Sequence, residues 1–286
     1  MPPVKQDGLH ELRREDYDSI ERVNYSSLKL IARSPAHYRH GLLEERADTD
    51  ALRMGRVTHL AVLEPERFRS LISVWDGGRR AGKDWDKFTE QNQGRELLTI
   101  EEHKLCLALQ QAVRNDARAM RYISGGKPEV TVLWTAEVGG RSIPCKARLD
   151  FDTDDAIVEL KTTRNAEPSA FGRQSHGLRY HVQGAWQVDG YARAAGIGKP
   201  HVTVAVEKEP PYEVVVYRMP ERYLEMGRVE YRDWLMRLVE CRETARWPGY
   251  AETELDLEFP PWATGEDEDL GGELLTSGGV ALAGGD

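Results

Sequence analysis

An acid and a lysine lie two residues apart in the apolar stretch 157–161, whose sequence is Ile-Val-Glu-Leu-Lys. In a β-strand the side chains alternate between the two faces, so Glu159 and Lys161 would share one face. Asp150 ends the preceding β-rich stretch, and the loop 152–155 is short enough to return the chain antiparallel. This geometry would bring the carboxylates of Asp150 and Glu159 together, with Lys161 beside them.

Two neighbouring carboxylates repel each other unless a cation joins them. Mg²⁺ prefers oxygen ligands and keeps several waters, so an Asp, a Glu, a main-chain carbonyl and water suit it, and Mn²⁺ could take its place. Such an ion lowers the pKa of a bound water and offsets the charge that develops on a phosphorane. Because a neighbouring lysine can orient or deprotonate the attacking water, these residue types predict the chemistry of phosphodiester hydrolysis.

The spacing Asp-x8-Glu-x-Lys is a weak signal when it is taken alone. On spacing alone, the simpler interpretation is favoured, namely a surface salt bridge on an edge strand. The β-branched residues around Glu159 improve the case for a central strand without deciding it.

The elements that must position these residues follow from hydrophobic periodicity and from turn signals. Ser26 or Ser27 is expected to cap a short first helix, and Pro35 to open a second helix that runs to Glu45. Further helices are predicted over 49–63, 101–122, 167–177, 180–195 and 221–247, and a surface loop over 76–95 leads into a helix. Strands are predicted over 129–138, 141–151, 156–161, 201–207 and 212–218. This order predicts an α/β (or α+β) fold with a mixed central sheet flanked by helices.

The acidic residues are concentrated near one end of the sequence. The chain has 286 residues and a formal charge of −9, yet ten of its 48 acids and none of its Lys and Arg residues fall within 251–286. Residues 1–250 therefore hold 38 acids against 39 bases, and this near-neutral body can still carry a local basic channel. We expect a flexible N-terminus over 1–20, one domain over 21–248 and a disordered acidic tail over 249–286.

Composition also restricts the cellular setting. Cys106, Cys145 and Cys241 are widely separated and form no CxxC pair, so neither a disulfide framework nor a zinc or iron–sulfur site is expected on them. No apolar run approaches the ~18 residues needed to cross a bilayer, and the first residues lack the apolar core of a signal peptide. We therefore expect a cytoplasmic protein without a membrane partner.

Several segments match one nuclease family in the family's own order. They are Ser-Pro-Ala-His-Tyr at 34–38, Met-Gly-Arg-Val-Thr-His at 54–59, Leu-Glu-Pro-Glu-Arg-Phe at 63–68, Arg-Arg-Ala-Gly-Lys at 79–83, Cys-Lys-Ala-Arg-Leu-Asp at 145–150, Val-Glu-Leu-Lys-Thr-Thr at 158–163 and Tyr-His-Val-Gln-Gly-Ala at 180–185. Together they resemble the RecE-type exonucleases (exodeoxyribonuclease VIII), within the PD-(D/E)XK superfamily that includes lambda exonuclease and the RecB nuclease domain. The resemblance runs from about residue 24 to 240 and implies a PD-(D/E)XK, restriction-endonuclease-like fold.

The resemblance implies a metal centre. Asp150 and Glu159 would be metal ligands, with the main-chain carbonyl of Leu160 as a further ligand. Lys161 would be the catalytic lysine. His59 would approach the metal from its helix, although a histidine on a half-apolar helix is more often a hydrogen-bonded core residue.

The resemblance also implies auxiliary residues around that centre. Glu129 would be an acid on the neighbouring strand that holds a metal or its water, whereas the simpler interpretation is that it begins a strand. Tyr180 and Gln183 would contact the scissile DNA strand, although packing is the default for two residues one helical turn apart. Gln187 stands where related proteins often carry an aromatic residue, so either Gln183 or the pair Gln187 and Tyr191 fills the helix motif.

A third implication concerns DNA. Arg79, Arg80 and Lys83 would grip phosphates or a 5′ end, although such residues are normally part of a solvated loop. The implied activity is that of a phage-type exonuclease that degrades linear double-stranded DNA from its ends, 5′ to 3′, and leaves 3′ single strands for recombination. A homo-oligomeric ring is implied as well. The acidic tail could bind a single-strand annealing protein, and a purely solubilising tail is the simpler alternative.

Two rival interpretations stay open. One is another nuclease of the superfamily, such as a RecB-type enzyme of different polarity. The other is a catalytically idle DNA-binding or recombination-partner protein on the same fold. The presence of Asp150, Glu159 and Lys161 argues against the idle protein.

Overall fold

The computed structural model describes residues 6–44, 49–260 and Ala263. The chain divides into two units, Met1–Gly249 and Tyr250–Asp286. Residues 250–260 of the second unit contain no helix or strand, and most of the predicted acidic tail lies outside the described residues. All further description concerns the first unit.

The central sheet of the first unit is mixed, which confirms the predicted fold class. Its strands are numbered along the chain as β1 (Gly8–Glu11), β2 (Val23–Asn24), β5 (Lys127–Val138), β6 (Arg141–Asp152), β7 (Ile157–Thr163), β8 (His201–Glu207) and β9 (Val214–Arg218), while β3 (Ile72–Trp75) and β4 (Glu96–Thr99) form a separate parallel pair. The spatial order is β1-β5-β6-β7-β8-β9, and β2 pairs with β6. The β7–β8 and β2–β6 pairs are parallel and the remaining pairs of this sheet are antiparallel.

Helices cover this sheet, and their bounds follow the predicted periodicity in most places. They are α1 (Arg14–Asp18), α2 (Tyr25–Leu28), α3 (Pro35–Gly41), α4 (Asp50–Leu63), α5 (Pro65–Leu71), α6 (Lys83–Gln91), α7 (Ile100–Asn115), α8 (Ala117–Ile123), α9 (Pro168–Gly177), α10 (Tyr180–Ala195) and α11 (Glu221–Thr244), with a 3₁₀ turn at Lys29–Ala32. None of the helices within the described residues is long and apolar enough to cross a membrane.

Two apolar cores hold the layers together. One core joins β5 and β6 to α10 and α11, and it contains the buried rings of Trp134, Trp186 and Trp234. The other joins β7 and β8 to α4, α7 and α8 through residues such as Leu160 and Val204. Since burial of apolar surface is the dominant favourable contribution to folding, these cores fix the helices that flank β7 on both sides.

The N-terminal segment is part of the folded unit, which corrects the expectation of a flexible stretch over 1–20 within its described residues. β1 pairs with β5 from Gly8 opposite Leu133 to Glu11 opposite Val130. Tyr17 in α1 is buried, and the ammonium of Lys146 lies 4.4 Å from the centre of its ring. That ammonium also donates to the carbonyls of Tyr17 and Ile20, both at 2.8 Å, so β6 anchors the segment.

Several local predictions were wrong for identifiable reasons. The first helix is capped by the side chain of Asn24, which accepts from the amide of Ser27, rather than by Ser26 or Ser27. The predicted helix 101–122 is broken at Asp116, whose carboxylate caps α8. The helix that begins at Pro35 ends at Gly41, and Glu45 lies outside the described residues.

A glycine sets the distance between α10 and the sheet. A Cβ atom on Gly190 would lie 2.6 Å from the indole ring of Trp134 on β5, well inside normal contact distance. Because position 190 has no side chain, α10 can pack directly on the ring. The polar side chains on the preceding turns of α10 are thereby held close to the sheet.

Candidate functional site

The centre of the site is a fork between β6 and β7. These strands pair only at Phe151 with Val158 and at Asp152 with Ile157. Beyond that point the amide of Leu160 donates to the side chain of Asp150, with 2.9 Å between its nitrogen and Oδ2. The carboxylate thus satisfies a main-chain donor of β7, as buried amides require.

Asp150 also faces α4, where His59 lies on the last two turns of the helix. The distance between His59 Nδ1 and Asp150 Oδ2 is 3.5 Å. Burial by itself would raise the pKa of Asp150, but the charge and hydrogen bond of His59, with the charge of Lys161, hold that pKa below its ordinary value. Burial would lower the pKa of His59, and the Asp150 charge raises it above its ordinary value. The pair therefore favours an ionised carboxylate.

The second carboxylate, that of Glu159, is only 3 % exposed and accepts hydrogen bonds from three side chains. Its Oε1 accepts from Nζ of Lys161 and from Nε2 of Gln183, both at 2.6 Å. Its Oε2 accepts from Nε2 of Gln187 at 2.9 Å. The two glutamines lie one turn apart on α10 and both contact Glu159, so which of them fills the helix motif stays a prediction. Tyr191 lies elsewhere, with its hydroxyl 3.4 Å from Asp152 Oδ2.

Lys161 is a stable cation in this setting. Burial would lower its pKa, but the charges of Glu159 and Asp150 raise the pKa well above the ordinary value. Its Nζ lies 3.4 Å from Oε1 of Gln183 and 4.8 Å from the ring centre of Tyr180, where a cation–π contact is favourable. The structure therefore brings Lys161, Tyr180 and Gln183 together around Glu159.

Glu129 is not part of this group. It lies on β5 across from the start of the fork, and its backbone has a φ of 57°, which is unusual for a residue with a side chain. Its carboxylate forms an ion pair with Arg148, which also donates to the carbonyl of Leu12 at 3.1 Å. In this conformation Glu129 is paired with a residue of β6, and its auxiliary role stays a prediction.

The predicted basic loop, residues 79–83, contains two kinds of basic residue. Arg79 and Lys83 are exposed. Arg80 is half-buried, pairs with the carboxylate of Glu102 and donates to the carbonyl of Leu97 at 3.1 Å. Glu102 also completes the capping box of α7. Arg80 therefore fastens the loop to α7, whereas Arg79 and Lys83 are available to a ligand.

Asp150 and Glu159 offer carboxylate oxygens, the type of ligand that a hard divalent cation prefers. Asp150 Oδ1 accepts no hydrogen bond from the part of the chain that the structure describes, and its side chain is 15 % exposed. No three His, Cys, Asp or Glu side chains among the described residues are grouped closely enough to hold an ion by themselves. The ligands would therefore be the carboxylates of Asp150 and Glu159, completed by the Leu160 carbonyl and water, which is the mixture that Mg²⁺ accepts.

Sequence reasoning missed one polar residue next to the site. His201, the first residue of β8, is 2 % exposed and lies 3.0 Å from Gln187, measured from its Nε2 to Oε1 of the glutamine. A histidine at the head of a mostly apolar strand was the available signal. It could not show which side chain the ring would meet, since the two residues belong to different elements.

Comparison with solved structures supports the fold. A crystal structure described as a "putative exonuclease" from Eubacterium rectale matches 89 % of this chain and 98 % of that chain, with a TM-score of 0.60 and 17 % sequence identity. A structure named SSO0001 matches 78 % of this chain and 87 % of that chain at 13 % identity, but its TM-score of 0.29 is too low to support an argument. No curated protein sequence matches the chain.

A family model supplies the assignment. The model described as PDDEXK-like domain of unknown function (DUF3799) matches residues 24–255, which include the fork, α4 and α10. The match covers most of the chain and agrees with the mixed central sheet flanked by helices. The chain therefore belongs to the PDDEXK-like DUF3799 family.

Proposed function

We propose that this protein is a metal-dependent deoxyribonuclease that hydrolyses phosphodiester bonds in linear double-stranded DNA. The observation that carries the proposal is the fork, where the carboxylates of Asp150 and Glu159 flank the ammonium of Lys161. PDDEXK nucleases typically use divalent metal ions. The two carboxylates and the Leu160 carbonyl are the groups that would hold Mg²⁺, or Mn²⁺ in its place, and His59 is a candidate further ligand.

The side chains of the site divide the chemistry among them. A bound divalent ion would supply the acidity that activates a water molecule and the charge that offsets a phosphorane. The charges of Glu159 and Asp150 favour the protonated form of Lys161, whose Nζ would donate a hydrogen bond to the attacking water or to a phosphate oxygen. Tyr180 and Gln183 would line the path of the scissile strand beside it.

Exonuclease action on DNA ends is the finer part of the proposal. It is supported by the sequence motifs and by the description of the Eubacterium rectale protein as a "putative exonuclease". We propose 5′-to-3′ digestion that leaves 3′ single strands for recombination in a phage or prophage setting, with Arg79 and Lys83 contacting phosphates. A homo-oligomeric ring, a single-strand annealing partner and a cytoplasmic location belong to the same proposal.

Two alternatives predict different behaviour. A RecB-type nuclease of other polarity would digest the same substrates from the opposite end. An idle DNA-binding protein on this fold would bind duplex DNA and leave it intact.

The test is a digestion assay with the purified full chain and Mg²⁺. We expect linear duplex to be degraded and closed circular DNA to be spared, and parallel substrates labelled at the 5′ or at the 3′ end give the polarity. Asp150→Ala and Lys161→Ala should each abolish digestion, whereas Asp154→Ala, a change at an exposed acid of the β6–β7 loop, should not. Digestion that persists in Asp150→Ala, or cutting of closed circles, would contradict the proposal.

A further inference from the structure

A chain of two hydrogen bonds joins β8 to the carboxylate of Glu159. His201 Nε2 lies 3.0 Å from Gln187 Oε1, and Gln187 Nε2 lies 2.9 Å from Glu159 Oε2. All three side chains are buried, with exposures of 2 %, 2 % and 3 %. The contact therefore forms in a region of low dielectric constant, where hydrogen bonds orient their partners strongly.

The direction of each bond follows from the chemistry of the groups. An ionised carboxylate only accepts, so Gln187 must present its amide NH₂ to Glu159 and its oxygen to His201. His201 must then donate from Nε2, which leaves Nδ1 without a proton. Burial lowers the pKa of His201 to about 4, which keeps the ring neutral and this arrangement intact near neutral pH.

The carboxamide of Gln187 needs a hydrogen-bond donor such as His201 to keep this orientation. Rotated by half a turn, it would present its oxygen to Glu159 Oε2, and two acceptors would face each other. Among the described residues Gln187 is the one donor to that oxygen, because Lys161 and Gln183 both bond to Oε1. The orientation of Gln187 therefore determines how the Glu159 carboxylate is turned.

We propose that His201 is a positioning residue that acts through Gln187 to fix the orientation of the Glu159 carboxylate for binding a divalent cation. The proposal rests on the metal-dependent function proposed above. His201 touches neither the ion nor the DNA. Its contribution is to make one of the two orientations of a neighbouring amide the stable one, as residues behind metal ligands do.

Two features of the surroundings of His201 favour a role beyond packing. Nδ1 of His201 is buried and has no hydrogen-bond partner among the described residues. An apolar side chain would avoid that penalty. Gly184 makes room for the ring, since a Cβ there would lie 3.3 Å from Cγ of His201 and 3.4 Å from Cδ2.

The experiment compares the affinity of DNA-free protein for Mn²⁺, measured by electron paramagnetic resonance, and the single-turnover rate on linear duplex. His201→Met removes the donor and keeps an apolar side chain of similar length, while His201→Gln keeps an N–H near the place of Nε2. Gln187→Leu and the double variant His201→Met/Gln187→Leu complete a cycle. Val202→Ala is the matched control, because this neighbour on β8 packs in the other core and has no link to Gln187.

We expect His201→Met and Gln187→Leu each to weaken Mn²⁺ binding and to slow the reaction by about 10-fold. The double variant should be no worse than Gln187→Leu alone, because residues that act through one another are not additive. His201→Gln should restore most of the loss, and Val202→Ala should keep the wild-type affinity. If His201→Met does not fold, Gly184→Ala, which crowds the ring, should weaken Mn²⁺ binding in its place.

Equal Mn²⁺ affinity in wild type and His201→Met, multiplied effects in the double variant, or an equal loss in Val202→Ala would overturn the positioning role. A wild-type protein that binds no Mn²⁺ would overturn it as well. Mn²⁺ binding that depends on His201 in a protein that digests no DNA would support the positioning role and reject the nuclease, so the two failures can be told apart.

Discussion

The amide of Leu160 donates its hydrogen bond to the carboxylate of Asp150, at 2.9 Å, just beyond the last paired residues of β6 and β7. This contact gives Asp150 two tasks, because the same oxygen also faces His59. One task is structural, since it satisfies a buried main-chain donor. The other is electrostatic, since it places a negative charge close to His59 and Lys161. Substitutions can separate the two.

Asp150→Asn should separate charge from structure. The asparagine keeps a side-chain oxygen that can accept from the Leu160 amide but loses the attraction to His59 and Lys161, so we expect a smaller loss in the free energy of unfolding than for Asp150→Ala. Asp150→Ala leaves that amide without a partner, and we expect a loss of about 1–3 kcal/mol. Both should lose nuclease activity, because a neutral side chain cannot supply a charged ligand. Urea unfolding and the digestion assay measure the two effects, and an active Asp150→Asn protein would refute the role of the charge.

Within the basic loop, some residues should affect DNA binding and another should affect the stability of the fold. Arg79→Ala/Lys83→Ala should weaken DNA binding and reduce the slope of log K against log[salt] by roughly 0.9 for each phosphate that the variant no longer neutralises. Arg80→Ala should instead destabilise the fold, since it breaks a half-buried ion pair with Glu102. Fluorescence anisotropy on duplex DNA over a range of salt, with the Asp150→Asn protein as background, measures the first effect. An unchanged slope in the double variant would show that the loop does not bind DNA.

The stability of the protein should depend on pH through His201. Burial lowers the pKa of this ring from its ordinary 6.5 to about 4 in the folded chain. As the pH falls, the unfolded chain takes up the proton first, so stability is lost between these two values, by up to about 3 kcal/mol. Above pH 6.5 the ring is neutral in both states and this effect vanishes.

The measurement is the difference in unfolding free energy between wild type and His201→Gln. The acid-induced protonation of carboxylates is common to both proteins and cancels. We expect the unfolding free energy of wild type, relative to that of His201→Gln, to fall by about 3 kcal/mol between about pH 7 and about pH 4. A difference that does not change with pH would show that the buried ring is protonated in the folded state as readily as in the unfolded one.

The N-terminal segment should contribute to global stability. Tyr17 is buried and lies 4.4 Å from the ammonium of Lys146, so Tyr17→Ala should cost about 3–5 kcal/mol, as large aromatic truncations in cores do. Tyr223→Ala, at a tyrosine that is 41 % exposed, is the control and should change stability little. Chemical denaturation of both variants decides the point, and equal stabilities would place α1 outside the cooperative unit.

The sequence predicted the fold class and the shared face of Glu159 and Lys161 because both depend on local patterns. Alternating apolar residues located β5, β6 and β7, and the spacing of Glu159 and Lys161 put them on one face. Helical periodicity located α10, and with it Gln183. These signals are carried by residues within one element, which a single sequence displays directly.

Other features depend on contacts between distant elements. β1, with the sequence Gly-Leu-His-Glu, reads as a polar loop and becomes a strand only because β5 offers a free edge. β3 and β4 are four residues each and support one another across the chain. The link from His201 to Gln187 joins a strand to a helix, and no spacing rule gives the rotation of either side chain.

The glycine at position 190 has an effect beyond packing. Because Trp134 touches the backbone of α10 at Gly190, the height of that helix above the sheet determines whether the two glutamine amides reach Glu159. A single methyl group added in the apolar interior would lift the helix and lengthen both bonds without altering any polar residue. Selection on the chemistry can therefore act through a position that carries no functional group.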